Sequence, residues 1–228
     1  ITVLRGDDAK EVTMTVTRRK IQVETVKSEM KDDQIGYIRV TEFDSVTYDQ
    51  FKSALGSLED QGMKGLVIDI RSNPGGLLSS VVKMLDKILP NGLIVYTEDK
   101  SGKRSEYKGT NNQQIDVPLS VLVNGDSASA SEIFAGAVQD YGVGTIVGTT
   151  TFGKGIVQTI RPLTDGSAVK FTIAKYFTPK GQDIHKKGVT PDVTVEINEA
   201  VKNKTSLTQE EDNQLQKAIE LVKSKINK

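Results

Sequence analysis

The chain has no cysteine and a single histidine, His185, among its 228 residues. The first absence excludes disulfides and thiol catalysis. Together they argue against a zinc site, which draws its ligands mainly from those residue types. No stretch approaches the ~20 consecutive apolar residues that a membrane-spanning helix needs. An excess of charge is missing too. Thirty basic residues balance thirty acidic ones, so charge points neither to nucleic acid nor to an anionic membrane surface. Apolar residues make up 36% and charged residues 26%. That composition is ordinary for a globular protein, and the length allows a substantial core. The chain opens on Ile1 within patterned sequence, and so reads as a piece of a longer protein, with any targeting segment expected in the missing part.

Hydrophobic periodicity then orders the chain. Residues 12–16 and 21–26 alternate apolar and polar as half-buried strands do. Residues 35–40 read as a strand. Residues 47–61 carry Phe51, Ala54, Leu55 and Leu58 on one helical face, with Gly62 as the stop. Residues 65–70 are nearly all apolar, as in a strand covered on both sides. Asn73-Pro74-Gly75-Gly76 marks a turn, and a helix with Leu78, Val81, Val82 and Leu85 follows. Strands are expected over 93–96, 119–123 and 145–148, an exposed hairpin over 97–117 and a helix over 132–141. The repeated strand-turn-helix units predict an α/β fold with a substantially parallel sheet. After Gly155, strands over 156–160, 168–173 and 193–197 come without helices between them. The tail is helical. Thr208 and Glu211 fit a capping box, and Leu215, Ala218, Ile219, Val222 and Ile226 form a face for the core or for a partner chain.

Chemistry concentrates in two stretches. Ser127, Ser129 and Ser131 fall where the strand over 119–123 gives way to a helix. A serine there has an exposed turn, free amides and a favourable helix dipole, all useful to a nucleophile. The same residues also satisfy ordinary N-cap preferences. Lys154, between Gly153 and Gly155, is a candidate base if burial keeps it neutral; a solvated surface lysine is the alternative. The spacing of 148–154 matches a phosphate-binding G-x-x-x-x-G-K loop. However, Gly155 stands where that motif needs Ser or Thr, and strand-like sequence follows instead of a helix. In an extended segment Gln158 shares a face with Lys154 and could orient its amine, or could be a plain surface residue. His185, in a polar loop, offers the base of a Ser-His-Asp triad, and Asp140 an orienting acid.

The ordered blocks Gly36-Tyr37-Ile38, Asp69-Ile70-Arg71-Ser72-Asn73-Pro74-Gly75-Gly76, the serine run into Glu132-Ile133-Phe134, Thr151-Phe152-Gly153-Lys154-Gly155, Tyr176-Phe177-Thr178-Pro179 and Gly188-Val189-Thr190-Pro191-Asp192 resemble the carboxy-terminal processing proteases of peptidase family S41, in particular Bacillus-type, CtpB-like members. The resemblance implies a ClpP/crotonase-like ββα core with additional strands and a helical C-terminal tail. It implies Ser129 as nucleophile, Lys154 as general base, Gln158 as the residue orienting the lysine, and the amides of Gly75 and Ala130 as an oxyanion hole. Such a dyad uses no cofactor and no metal. The implied reaction is cleavage of protein substrates near their C-termini through an acyl-enzyme. The implied partners are protein or peptide substrates with accessible C-terminal tails, membrane-associated ones among them, and not nucleic acid; the full-length protein would be an extracytoplasmic homodimer. Residues 1–20 are expected to be the remnant of a PDZ domain and hinge, and 21–228 the protease core. The alternative is a tail-binding module that lacks PDZ control and is catalytically inactive or resting.

Overall fold

The computed structural model describes every residue except 20, 111–113, 203, 205–206 and 227–228. Its centre is a six-stranded sheet in the order β12-β9-β8-β5-β4-β3. The strands are β3 (Val26–Lys31), β4 (Ile35–Val40), β5 (Gly65–Asp69), β8 (Leu119–Val123), β9 (Gly144–Gly148) and β12 (Val193–Thr194). All neighbours run parallel except β3 and β4, which are antiparallel.

Side-chain alternation explains why the strands read as continuous apolar runs. Ile38, Val40, Leu66, Ile68, Val121, Val123 and Ile146 point to one face. There they meet α1 (Thr47–Asp60), α2 (Leu78–Ile88) and α3 (Ala130–Tyr141) through Phe51, Leu55, Leu58, Val81, Met84, Leu85, Ile133 and Phe134. Ile35, Val67, Leu122 and Val147 point to the other face. That face is covered by α4 (Asn213–Ile226) through Leu215, Ala218, Ile219 and Val222. The apolar side of the tail helix therefore packs on the core. Gly65 permits this closeness, since a Cβ there would collide with Val222. The helix is capped by Asp212, whose Oδ1 accepts the Leu215 N–H at 2.9 Å. Thr208 and Glu211 form only a turn ahead of it, with Thr208 N–H to Glu211 Oε2 at 3.3 Å.

A second, antiparallel sheet has the order β10-β11-β6-β7, built from β6 (Leu93–Asp99), β7 (Arg104–Lys108), β10 (Ile156–Pro162) and β11 (Ala168–Phe177). The strand expected over 93–96 and the start of the hairpin expected over 97–117 together form the β6–β7 hairpin, which ends at Lys108; 111–113 lie outside the described residues. A small hairpin pairs β1 (Thr2–Arg5) with β2 (Lys10–Thr13). β2 ends at Thr13, short of the expected residue 16, although Met14 N–H still donates to Ile1 O at 2.9 Å. The alternating segment 21–25 lies in no strand, and Ile21 and Val23 are exposed. Alternation there has no neighbouring strand to pair with. Instead, Gln50 on α1 accepts the Thr25 and Val26 amides at 2.9 and 3.1 Å and starts β3 one step later. The last expected strand shortens to the two residues of β12.

One buried charge cluster ties α4 to the end of β5. Asp69 is fully buried. It accepts Arg39 Nη1 at 2.6 Å, Tyr37 Oη at 2.8 Å and Arg71 Nη2 at 2.6 Å. Arg71 also donates to both oxygens of Asp212 at 2.9 and 2.7 Å. Burial works to raise the Asp69 pKa, but the Arg71 charge and hydrogen bonds, with Arg39, outweigh it and hold the carboxyl below its ordinary range. Burial and the Asp69 charge together push the Tyr37 phenol up. A carboxyl whose folded pKa is depressed contributes stability above its unfolded value, about 3.9, and loses it as pH falls through the folded value. Asp69→Asn should therefore cost about 3–5 kcal/mol near pH 7, since it strands buried guanidinium charge. The gap from wild type should narrow at strongly acid pH. Urea unfolding across a pH series checks both points, and a pH-independent gap would contradict them.

Candidate active site

Three segments meet at the carboxyl ends of β5, β8 and β9: the turn over 70–77, the loop over 124–130 and the loop over 149–155. This is where open parallel sheets expose loops able to carry a site. Asn73 is the fully buried pin between the first two. Its Nδ2 donates to Val40 O at 3.0 Å and its Oδ1 accepts Gly75 N–H at 2.9 Å. Its carbonyl accepts Ala128 N–H at 3.0 Å and Ser131 Oγ at 2.8 Å.

The three serines have separate fates. Ser127, fully buried, donates to Ile70 O at 2.9 Å and accepts Asn124 N–H at 3.0 Å. Ser131, also fully buried, is spent on Asn73. Ser129 is half-buried at the entrance to α3, with φ 56° and ψ −109°. A non-glycine residue in such a conformation is strained, and strain of this kind collects at functional turns. The stretch forms a capping box with Glu132, whose N–H donates to the Ser129 carbonyl at 3.0 Å, and the hydroxyl donates to no group among the described residues. The Ala130 N–H, first in the helix, makes no hydrogen bond among the described residues. Gly75 lies close by, with φ +104°, and its amide is held by Asn73. Of the two expected oxyanion amides, Ala130 is free and Gly75 is engaged.

Glu132 is the residue that periodicity overlooked. It is fully buried on the first turn of α3. Its Oε2 accepts Ser129 N–H at 2.9 Å and Lys154 N–H at 2.8 Å. Its Oε1 accepts Thr151 Oγ1 at 2.7 Å and Gly153 N–H at 2.6 Å. The signal was present as the spacing Ser129-x-x-Glu132, a capping-box pattern. Its long-range partners, some twenty residues on, belong to no local pattern.

Lys154 is brought to the same site through its backbone, but its side chain differs from expectation. It is half-buried and not enclosed, because the next residues leave the body as the exposed β10–β11 hairpin. Its ammonium bonds to neither Ser129 nor Gln158 among the described residues. Gln158 is exposed on β10, beside a register shift between Val157 and Gln158. The strand β10 also removes the phosphate-loop reading, which requires a helix after Lys154. His185 forms no triad with Ser129; its backbone packs against Gly155, where a Cβ would sit 2.5 Å from His185 N. Asp140 is occupied elsewhere, accepting Lys180 N–H at 2.7 Å and Gln182 Nε2 at 2.6 Å. A cleft of about 980 Å³ lies over the Arg39–Asp69–Arg71 cluster beside α4, and includes none of Ser129, Lys154 and Gln158. The chemistry of the loops, and not cavity size, marks the candidate site.

A largely parallel sheet covered on both sides, with a strained serine at a helix N-terminus near a lysine-bearing loop, defines an α/β protein with a candidate site at the carboxyl ends of its strands. The chain belongs to peptidase family S41, which matches residues 34–195. It is 40% identical over 212 residues to the carboxyl-terminal-processing protease of Synechocystis sp., covering 91% of this chain and 49% of that protein. It is 42% identical over 187 residues to the carboxy-terminal processing protease CtpA of Bacillus subtilis, covering 82% and 40%. The chain thus spans about half, or less, of the length of these relatives. Among solved structures, a photosystem II D1 C-terminal processing protease superposes with TM-score 0.71 at 38% identity, covering 84% of this chain and 53% of that one. A putative S41 protease from Bacteroides fragilis shares the fold with TM-score 0.73 at 16% identity, covering 94% and 61%. No helix among the described residues is long and apolar enough to cross a membrane.

Proposed function

We propose that this chain is the proteolytic core of a C-terminal processing peptidase, with Ser129 as nucleophile and Lys154 as general base. One observation carries the reading. Of three clustered serines, only Ser129 donates its hydroxyl proton to no group among the described residues, and a single Glu132 oxygen joins its backbone to that of Lys154. In the proposed reaction the neutral Lys154 amine takes the Ser129 proton, and Oγ attacks a peptide carbonyl. The Ala130 amide receives the oxyanion at the positive end of α3. Gly75 joins it only after its amide leaves Asn73. The lysine then protonates the leaving amine, and later activates the water that hydrolyses the acyl-enzyme. Gln158 would orient the amine once the two approach. Catalytic hydrogen bonds often close only with substrate, so the arrangement is read as a resting one.

The relatives' names support protein substrates cut near the C-terminus. From the family resemblance, and not from those names, we also propose 1–20 as the end of a preceding PDZ domain and its hinge, and the full-length protein as an extracytoplasmic homodimer. The test is direct. A folded protein bearing an unstructured C-terminal tail is incubated with wild type and with Ser129→Ala, and products are read by intact mass. Tail shortening by wild type alone is expected. Binding without shortening by either form would overturn the peptidase reading.

A further inference from the structure

We infer that Glu132 is a positioning residue that sets the spacing of nucleophile and base, with Thr151 as its second anchor. The inference rests on the Ser129–Lys154 reading above. The physical case begins with the side chain's isolation. Glu132 has no exposed surface and no cationic partner in a salt bridge among the described residues. Burying such a group is costly unless it is fully hydrogen-bonded. Here every bond it accepts comes from a donor on the two catalytic loops or the α3 entrance, four in all. The favourable end of α3 adds to this. A carboxylate is the acceptor-only side chain that four converging donors require.

The geometry decides what those bonds do. Oε2 takes the backbone N–H of Ser129 and that of Lys154, so the two residues hang from one atom. Oε1 takes the Gly153 amide, at the residue before the base, and the Thr151 hydroxyl. Thr151 Oγ1 in turn accepts Val189 N–H at 2.7 Å, and Thr151 N–H reaches Val189 O at 3.2 Å. The base loop is thereby fixed on one side to the nucleophile's helix and on the other to the segment around Val189. Gly153 and Gly188, both at positive φ, let these backbones approach, since a Cβ on Gly188 would collide with the Thr151 carbonyl. Lys154 itself contributes only its amide to this frame, which leaves its amine free to move.

Glutamine at 132 keeps the shape but turns an NH₂ group toward one pair of donors. The loop carrying Lys154, or the Ser129 turn, must then shift. A displacement of about 1 Å at reacting groups can cost on the order of 10²-fold in rate. Glu132 is fully buried and offers no surface to substrate, so substrate binding should be spared. Glu132→Gln is therefore expected to lower kcat about 100-fold with KM little changed, and to slow fluorophosphonate labelling of Ser129 in parallel. Thr151→Val, which removes one donor and strands Val189 N–H, should lower kcat about tenfold by the same displacement. Thr151→Ser, which keeps the hydroxyl, should recover most of it. Thermal unfolding of each variant monitors the fold, and if Glu132→Gln does not fold, the valine and serine pair carries the test. Unchanged kcat in folded Glu132→Gln, a loss confined to KM, or no recovery in Thr151→Ser overturns the inference and leaves the peptidase reading standing. A wild-type chain that neither cleaves nor labels removes both.

Discussion

Replacement of Lys154 by alanine will lower turnover of a tail-bearing substrate by about 10⁴-fold or more, the scale on which members of a concerted nucleophile-base pair fail. The reasoning is chemical. A serine hydroxyl at neutral pH is a poor nucleophile until a base removes its proton. The carboxylate beside Ser129, Glu132, is taken up by four donors and is not free to act as that base. His185 meets the site through its backbone, and Asp140 is bound to Lys180 and Gln182. Ser129→Ala should be as damaging. The double variant should be little worse than either single one, because residues acting as a unit are not additive. Single-turnover kinetics with mass detection of the acyl-enzyme measures each step. Lys154→Ala retaining turnover within tenfold of wild type would assign the base to another group.

Gly75→Ala should cost about 10²–10³-fold in kcat, the range seen when one oxyanion donor is lost. Two effects combine. Gly75 has φ +104°, a conformation that strains any other residue. An added Cβ would also stand 2.7 Å from Ala128 O, 2.9 Å from Ser129 Cβ and 3.0 Å from Ala130 N. All three are parts of the nucleophile turn, and two are backbone atoms that cannot swing aside. The turn must therefore move away from the 70–77 loop, taking the free Ala130 amide with it. Strain of this kind costs on the order of 1–3 kcal/mol of stability. Urea unfolding gives that part and kcat the other. A Gly75→Ala variant with full activity would remove this loop from the reaction.

Much of the frame was legible before any coordinates. The apolar runs at 65–70 and 119–123 are strands because parallel strands covered on both faces need no polar side. Gly62 and the turn at Asn73 mark ends that the structure keeps. One expected strand did not form. Residues 21–25 alternate correctly yet lie in no strand, because a strand needs a neighbour as well as a pattern. The face shared by Lys154 and Gln158 is read from an extended run; β10 begins at Ile156, a register shift falls between Val157 and Gln158, and Gln158 is exposed there.

Residue types and their order were enough to assign the α/β class, the helix entrance with its three serines, the glycine-flanked lysine and the resemblance to a peptidase family. Those follow from local rules of spacing, capping and turn chemistry. Choosing among the serines by their surroundings needed the packed chain, because Ser127 and Ser131 are committed by carbonyls 57 and 58 residues away in sequence. The same holds for Glu132, whose bonds to Gly153 and Lys154 span 21 and 22 residues. A hydrogen bond between distant backbone groups forms only after the sheet has brought the loops together, and no local pattern in the sequence encodes it.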